Sequence, residues 1–212
     1  ISGGYRRISG FRKYVNAVVP HTSSSSESLL MIANFDNKVL AARGEKIFSS
    51  ASAELSIAIA ADTSMTGSGT ITVPSTLGFS SSGTLQINSE IFTYTGKTST
   101  TFTGVTRAVS STAAAHAKLD VVSESWTVRD TGRTSAAKYH FERYNFDGNE
   151  KIVCVDGVNA PVIFNTSMTA ADVSDSSVAG ATVVAAYRNH MFYGGKSTTP
   201  QEIVFSEPFD ED

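Results

Sequence analysis

Residues 83–96 read Gly83-Thr84-Leu85-Gln86-Ile87-Asn88-Ser89-Glu90-Ile91-Phe92-Thr93-Tyr94-Thr95-Gly96. Two sets of side chains recur here at every second position, which is the period of pleated strands with distinct faces: Leu85, Ile87, Ile91 and Thr93, and Gln86, Asn88, Phe92 and Tyr94. The Asn88-Ser89-Glu90 link is short, so the pattern predicts a hairpin. A polar turn at residues 97–100 and a β-rich run at 101–105 extend the hairpin to a three-strand meander.

Composition narrows the class of protein. The 212 residues are 41% hydrophobic and only 17% charged, and the formal net charge is −3. Ser, Thr and Gly populate turns and the solvent faces of strands, so this composition favours a folded β-protein. A sequence-reading nucleic-acid binder normally carries a basic face, which this charge balance disfavours. No stretch approaches the 18 apolar residues of a membrane span, and we expect no membrane-spanning segment.

Strand and turn signals continue on both sides of this stretch. Before it, strands are predicted at residues 28–34, 38–42, 46–50 and 55–60, with turns at Asp36-Asn37 and Arg43-Gly44-Glu45. After it, strands are predicted at residues 137–145, 151–155, 162–165, 182–187, 190–195 and 202–206, and one helical turn is predicted at 168–173. The sequence therefore predicts an all-β fold of antiparallel meanders.

The small-residue linker at residues 62–68 separates the central meander from the first strands. Strand-and-turn sequence of the earlier style resumes beyond residue 122. We therefore predict three segments: a first part of a propeller-like meander at 1–65, an inserted small β-module at 66–122, and the continued meander at 123–212. Meanders of three or four short strands are typical of β-propeller blades. The chain starts at Ile1 without methionine, and we expect it to be part of a longer polypeptide.

The central block resembles a small β-module of bacteriophage tail and baseplate proteins, in which an alternating Gly-to-Tyr strand pair precedes a Phe-x-Gly and an arginine. The resemblance covers roughly residues 69–122. Matching positions are Glu90, Tyr94, Phe102, Gly104 and Arg107. One departure is that the glycine expected soon after the arginine is Ala108 or Val109. The predicted structural anchors of the module are Leu85, Ile87, Glu90, Ile91, Tyr94, Phe102, Gly104 and Arg107. Glu90 and Arg107 are interpreted as a surface pair, contributing at most about 1 kcal/mol.

A second resemblance concerns the rest of the chain. Its motifs, in chain order, are Tyr5-Arg6-Arg7 with Gly10-Phe11, Leu40-Ala41-Ala42-Arg43-Gly44, Val155-Asp156-Gly157, and Arg188-Asn189-His190-Met191-Phe192-Tyr193 followed by Pro200 and Ser206. This arrangement resembles the propeller core of the nozzle and packaged-DNA stabilisation proteins of short-tailed phages. The resemblance implies part of a β-propeller and a place in a tail ring.

Motifs for chemistry are weak in this sequence. The four histidines, His21, His116, His140 and His190, lack partners at metal-ligand spacing, and we interpret them as isolated surface or strand residues. Gly194-Gly195-Lys196-Ser197 lacks the first glycine of a phosphate loop. We therefore predict no catalytic residue, no metal site and no cofactor, and no enzyme activity.

The function that we predict is structural: a bacteriophage virion protein of the tail nozzle or DNA-stabilisation ring, which forms the distal tail channel and serves DNA retention and ejection. The resemblance implies a homo-oligomeric ring that contacts tail adaptor or connector proteins and tail fibres. We expect this ring to be a hexamer. DNA would pass through transiently and without specificity. Assembly would take place in the host cytoplasm, and the final location would be the virion.

Two alternatives remain open. One is a host-surface-binding module of a tail fibre or baseplate, with aromatic and Ser/Thr-rich loops as its contact surface. The other is a propeller glycan hydrolase, whose paired carboxylates would lie about 5 to 10 Å apart in a cleft.

Overall fold

The structure is a computed structural model that describes residues 27–135 and 137–210. Residues 5–7 and 10–11, which carry part of the second resemblance, lie outside this range. Every strand pairing within it is antiparallel, and its single helix is the 3-10 turn Ser176–Val178. The prediction of an all-β, antiparallel fold is confirmed. No helix among these residues is long and apolar enough to cross a membrane.

The strands of the described residues are numbered in chain order. They are β1 (Leu29–Phe35), β2 (Lys38–Arg43), β3 (Lys46–Ser50), β4 (Ser52–Glu54), β5 (Thr66–Thr72), β6 (Gly83–Ile87), β7 (Glu90–Tyr94), β8 (Gly96–Lys97), β9 (Thr101–Thr106), β10 (Val121–Glu124), β11 (Thr127–Thr131), β12 (His140–Phe146), β13 (Asn149–Val155), β14 (Val162–Asn165), β15 (Ala170–Asp172), β16 (Val183–Tyr187), β17 (His190–Gly194) and β18 (Ile203–Phe205).

The first compact unit comprises Ser52–Thr76 and Ser81–Glu124. Its strands form one sheet in the order β4-β10-β6-β7-β9-β5, with β8 paired to β9. The stretch predicted as an inserted module at 66–122 falls almost wholly within this unit, and the unit also includes residues 52–65. Its core is apolar and aromatic, and the fully buried side chains include Leu55, Ile71, Leu85, Ile87, Phe92 and Phe102.

The second unit contains three sheets, built from residues 27–51, 77–80, 125–135 and 137–210. Sheet 1 has the order β1-β2-β3-β11, sheet 2 has β12-β13-β14-β15, and sheet 3 has β16-β17-β18. In sequence, β4 to β10 of the first unit lie between β3 and β11. Sheet 1 is therefore a four-stranded meander whose third and fourth strands are separated in sequence by the first unit.

Two apolar clusters hold the second unit together. The first joins sheet 1 to sheet 2 and contains Phe35, Leu40, Ile47, Ile152 and Phe164 among others. The second joins sheet 2 to sheet 3 and contains Val153, Val155, Ile163, Met191 and Tyr193 among others. Because alternate residues of β13 enter different clusters, sheet 2 is buried on both faces.

The predicted linker at residues 62–68 is shorter than expected, because β5 begins at Thr66. Two further local predictions are wrong. Residues 55–60 do not form a strand, because their backbone amides bond in turn to Asp120, Thr72 and His116, which lie on different segments. Residues 168–173 do not form a helical turn. Met168 has a positive φ of 60°, and the chain then pairs with β14 as β15. Tertiary pairing thus overrides the weak local helix signal.

Candidate functional site

The β6–β7 hairpin directs a carboxylate into the core of the first unit. Ile87 pairs with Glu90, so the turn contains only Asn88 and Ser89, and Asn88 takes the positive φ (53°) that such tight turns require. Leu85 pairs with Phe92, which places these two side chains on one face together with Glu90. The Glu90 side chain is 0% exposed.

Arg107, directly after β9, meets this carboxylate from the other side. Its Nε donates to Glu90 Oε1 and its Nη2 to Glu90 Oε2, both at 2.8 Å. The remaining guanidinium donors bond to backbone carbonyls: Nη1 to Ala60 (2.8 Å) and Thr63 (3.1 Å), and Nη2 to Ala114 (2.7 Å). All five N–H groups of the guanidinium are therefore used.

Glu90 accepts three further hydrogen bonds. The amide of Ala108 donates to Oε1 at 3.1 Å, and the amide of Ala114 donates to Oε2 at 2.9 Å. His116 Nε2 lies 2.8 Å from Oε2, and the His116 ring is also buried. The carboxylate thus accepts five hydrogen bonds from four residues. We call Glu90, Arg107 and His116, with the backbone groups they bind, the Glu90 cluster.

A second layer orients His116. Asn88 Nδ2 donates to Asp120 Oδ2 at 2.8 Å and lies 3.3 Å from His116 Nδ1. Because a carboxylate can only accept, the bond to Asp120 fixes which end of the amide is the NH2 group. His116 Nδ1 is then an acceptor, and the ring proton lies on Nε2, facing Glu90.

These contacts set the protonation states of Glu90 and Arg107. Burial by itself raises the pKa of Glu90, but the hydrogen bonds from Arg107, the Ala114 amide and His116 outweigh it and lower the pKa to about 2. The hydrogen bond to Glu90 raises the pKa of Arg107, against the opposing effect of burial. Glu90 and Arg107 therefore form a charged pair at neutral pH.

The cluster holds chain segments together. It connects the hairpin and the end of β9 to two segments that have few ladder hydrogen bonds of their own, the turn at Ala60–Thr63 and the loop around Ala114. Both charged groups have their hydrogen-bonding capacity filled from within the chain. Among the residues that the structure describes, no group of three or more His, Cys, Asp or Glu is placed to hold a metal ion. This arrangement can therefore hold the loops in fixed positions.

The other predicted anchors lie in the same unit as this cluster. Leu85, Ile87 and Phe102 are fully buried, Tyr94 is 2% exposed, and Ile91 is half-buried. Tyr94 packs edge-on against Phe102 with 4.9 Å between ring centroids, and its hydroxyl donates to Glu124 Oε1 at 3.1 Å. Gly104 has φ +62°, and a Cβ there would clash with the Thr95 side chain.

Two sequence interpretations are wrong at this cluster. Glu90 and Arg107 are not a surface pair, since both side chains are buried and their contact is bidentate. His116 is not an isolated residue, because it contacts Glu90 directly. The available signal was a glutamate next to the tight turn of an otherwise apolar hairpin. The spacing of 26 residues between Glu90 and His116 gave no signal at all.

Ala108 stands where the resemblance leads us to expect a glycine. Its φ is +56°, a left-handed conformation that disfavours side chains larger than glycine. This conformation occurs at the residue whose amide donates to Glu90 Oε1. The departure from the pattern is therefore a strained position next to the cluster.

A separate polar pocket opens at one end of sheet 2 in the second unit. It has a volume of about 500 Å³ and is lined by Asn145, Gly148, Asn149, Glu150, Lys151, Asn165, Thr166 and Ser167. The lining offers amide, hydroxyl and charged groups. Glu150 accepts a 2.6 Å bond from Arg143, in a pair that is largely exposed.

No protein family matches this sequence, and no curated protein or solved structure is significantly similar to it.

Proposed function

We propose that this chain is a structural protein of a bacteriophage tail, of the nozzle or DNA-stabilisation kind, and that it acts by assembly rather than by catalysis. In this role it forms part of a ring around the distal tail channel and docks neighbouring tail components. DNA passes along the channel and is not bound specifically.

One observation carries the proposal. Sheets 1, 2 and 3 follow one another along the chain, each is an antiparallel meander, and an apolar cluster lies between each successive pair. Face-to-face stacking of four-stranded meanders in chain order is the construction of β-propeller blades, and sheet 3 supplies three strands of such a meander. This supports the propeller core that the sequence motifs resemble, with the first unit as an insertion between the last two strands of a blade.

The charge balance and the Glu90 cluster support a mechanical role. The carboxylate of Glu90, whose pKa is lowered, accepts five internal hydrogen bonds, so its role is to hold the loops in place. A net charge of −3 suits a wall past which a polyanion moves, because gripping phosphates requires clustered Lys and Arg.

The test is the position of this chain in the particles that contain it. Cryo-electron microscopy of intact virions is expected to show an axial ring, hexameric in our proposal, below the head-to-tail connector. The proposal would be contradicted if copies were found only at peripheral fibres or if the particles did not contain the chain. Duplex DNA binding by the purified protein should be weak, without the steep salt dependence of a phosphate-gripping protein.

The polar pocket of sheet 2 favours a second candidate, a host-surface-binding module. Amide and hydroxyl groups such as those of Asn145, Asn165 and Thr166 are suited to the hydroxyls of a surface glycan. Binding of the purified protein to host cells that is reduced by Asn165→Ala, but not by the exposed control Ser197→Ala, would support this role. A release of reducing sugar from capsular glycan would instead favour a hydrolase.

A further inference from the structure

Sheet 3 has two faces of the same chemistry and opposite burial. Its inner face carries Val184, Met191 and Tyr193, which are buried in the second apolar cluster. Strand pairing places the alternate residues together on the outer face, because Ala185 pairs with Phe192 and Phe192 pairs with Phe205. The outer face consists of Val183, Ala185, Tyr187, His190, Phe192, Ile203 and Phe205.

This outer face is aromatic and exposed. Tyr187 is 61% exposed, Ile203 70% and Phe205 64%. The rings of Phe192 and Phe205 stack with 5.8 Å between centroids, and His190 packs edge-on against Phe205 at 5.9 Å. The side chains are thus already ordered against one another. An ordered, flat apolar surface loses little side-chain entropy when a partner covers it.

The rest of the second unit shows what covers such a face. Sheet 2 buries one face against sheet 1 and the other against sheet 3. In both junctions, the cover is the apolar face of another antiparallel sheet. The outer face of sheet 3 has no such cover within the described residues. Exposed apolar patches of more than a few hundred Å² mark interaction sites.

We propose that the outer face of sheet 3 pairs with the same face of a second copy of this chain, in a two-fold dimer. A fully buried aromatic side chain contributes about 150 to 250 Å². Val183, Tyr187, Ile203 and Phe205 are each between 50% and 70% exposed, so one copy offers roughly 500 Å² and two copies about 1,000 Å². That total reaches the lower limit of a specific interface.

The two-fold arrangement follows from the chemistry of the surface. A face that is mainly aromatic and aliphatic is complementary to itself, and an isologous contact uses the same patch on both copies. This inference does not depend on the tail role.

Sedimentation velocity of the purified chain between about 1 and 100 µM tests the pairing. The wild type is expected to be a dimer in this range. Phe205→Arg and Tyr187→Arg each place a charge on the face and should raise the dissociation constant at least about thirtyfold, as loss of a central aromatic contact does. The matched control is Val158→Arg, since Val158 is 56% exposed and belongs to a turn elsewhere in the same unit.

Circular dichroism spectra identical to the wild type would show that the variants are folded, and the use of two independent substitutions guards against misfolding of either one. Three results would overturn the proposal: a monomeric wild type at the highest concentration, a dimer that both charged variants leave intact, or a dimer that Val158→Arg weakens as much as they do.

Discussion

Glu90→Gln is expected to destabilise the first unit selectively. The change keeps the shape of the side chain and removes its charge. Two donors face Oε1, namely Arg107 Nε and the Ala108 amide, and three face Oε2. Whichever way the glutamine amide is oriented, its NH2 group must therefore face at least two donors. Two buried donors without an acceptor cost about 1 to 3 kcal/mol each.

The charge argument gives a similar magnitude. Removing one partner of a buried ion pair costs about 3 to 5 kcal/mol, because the other charge stays buried and uncompensated. Arg107 cannot escape by losing its proton. We therefore expect the free energy of unfolding of the first unit to fall by about 3 to 5 kcal/mol.

Hydrogen exchange read by mass spectrometry measures this effect locally. Peptides that contain β6, β7 and β9 should exchange about a hundredfold to several thousandfold faster, with complete loss of protection as the upper end. Peptides from β13 and β14 in the second unit serve as an internal reference. The matched control is Glu150→Gln, which makes the same change in the exposed Arg143–Glu150 pair and should cost less than about 1 kcal/mol.

The reasoning would be refuted if Glu90→Gln changed protection no more than Glu150→Gln does. A double-mutant cycle with Arg107→Met adds a second criterion. Because the double variant leaves no buried charge, it should be less destabilised than the sum of the two single variants. Simple additivity would mean that the pair is not coupled.

The remaining predictions use the same exchange measurement. The pKa of Glu90 is lowered from 4.5 to about 2, so its contribution is complete above pH 4.5 and should be lost as pH falls towards 2, by about 3 kcal/mol in total; a Glu90→Gln variant with the same acid profile would contradict this. Ala108→Gly should stabilise the first unit by about 0.5 to 1 kcal/mol by relieving the positive φ, and a loss of protection would show that the unfolded-state entropy of glycine dominates. Phe102→Ala should cost about 3 to 5 kcal/mol, since the ring is fully buried against Tyr94; unchanged protection in β6 and β7 would contradict this.

Most strands were predictable because their turns are local. Asp36-Asn37, Asp147-Gly148 and Arg188-Asn189 all take positive φ values, which Asp, Asn and Gly tolerate, and each joins two paired strands. The observed strand bounds differ from the predicted ones by a few residues. Residues 55–60 were not predictable in this way, because their partners lie on two distant segments, at Thr72 and at His116–Asp120.

The two faces of the hairpin were predicted wrongly because the turn was counted one residue too long. Counting Asn88-Ser89-Glu90 as the link groups Leu85 and Ile87 with Ile91 and Thr93. A two-residue turn changes the parity, and Leu85 and Ile87 instead share a face with Glu90, Phe92 and Tyr94. Because the side-chain period of a strand is two, an error of one residue moves a whole set of side chains to the other face. This error also hid the burial of Glu90.

The same turn explains why position 90 carries a carboxylate. The loops that meet there present donors almost exclusively: a guanidinium, two backbone amides and an imidazole N–H. Only an ionised carboxylate is an acceptor on both oxygens and neutralises the arginine at the same time. A shorter aspartate would have to reach the same donors from one methylene further back. We therefore attribute the glutamate to the geometry of the loops, which are held by polar contacts because a unit of this size has little apolar core to spare.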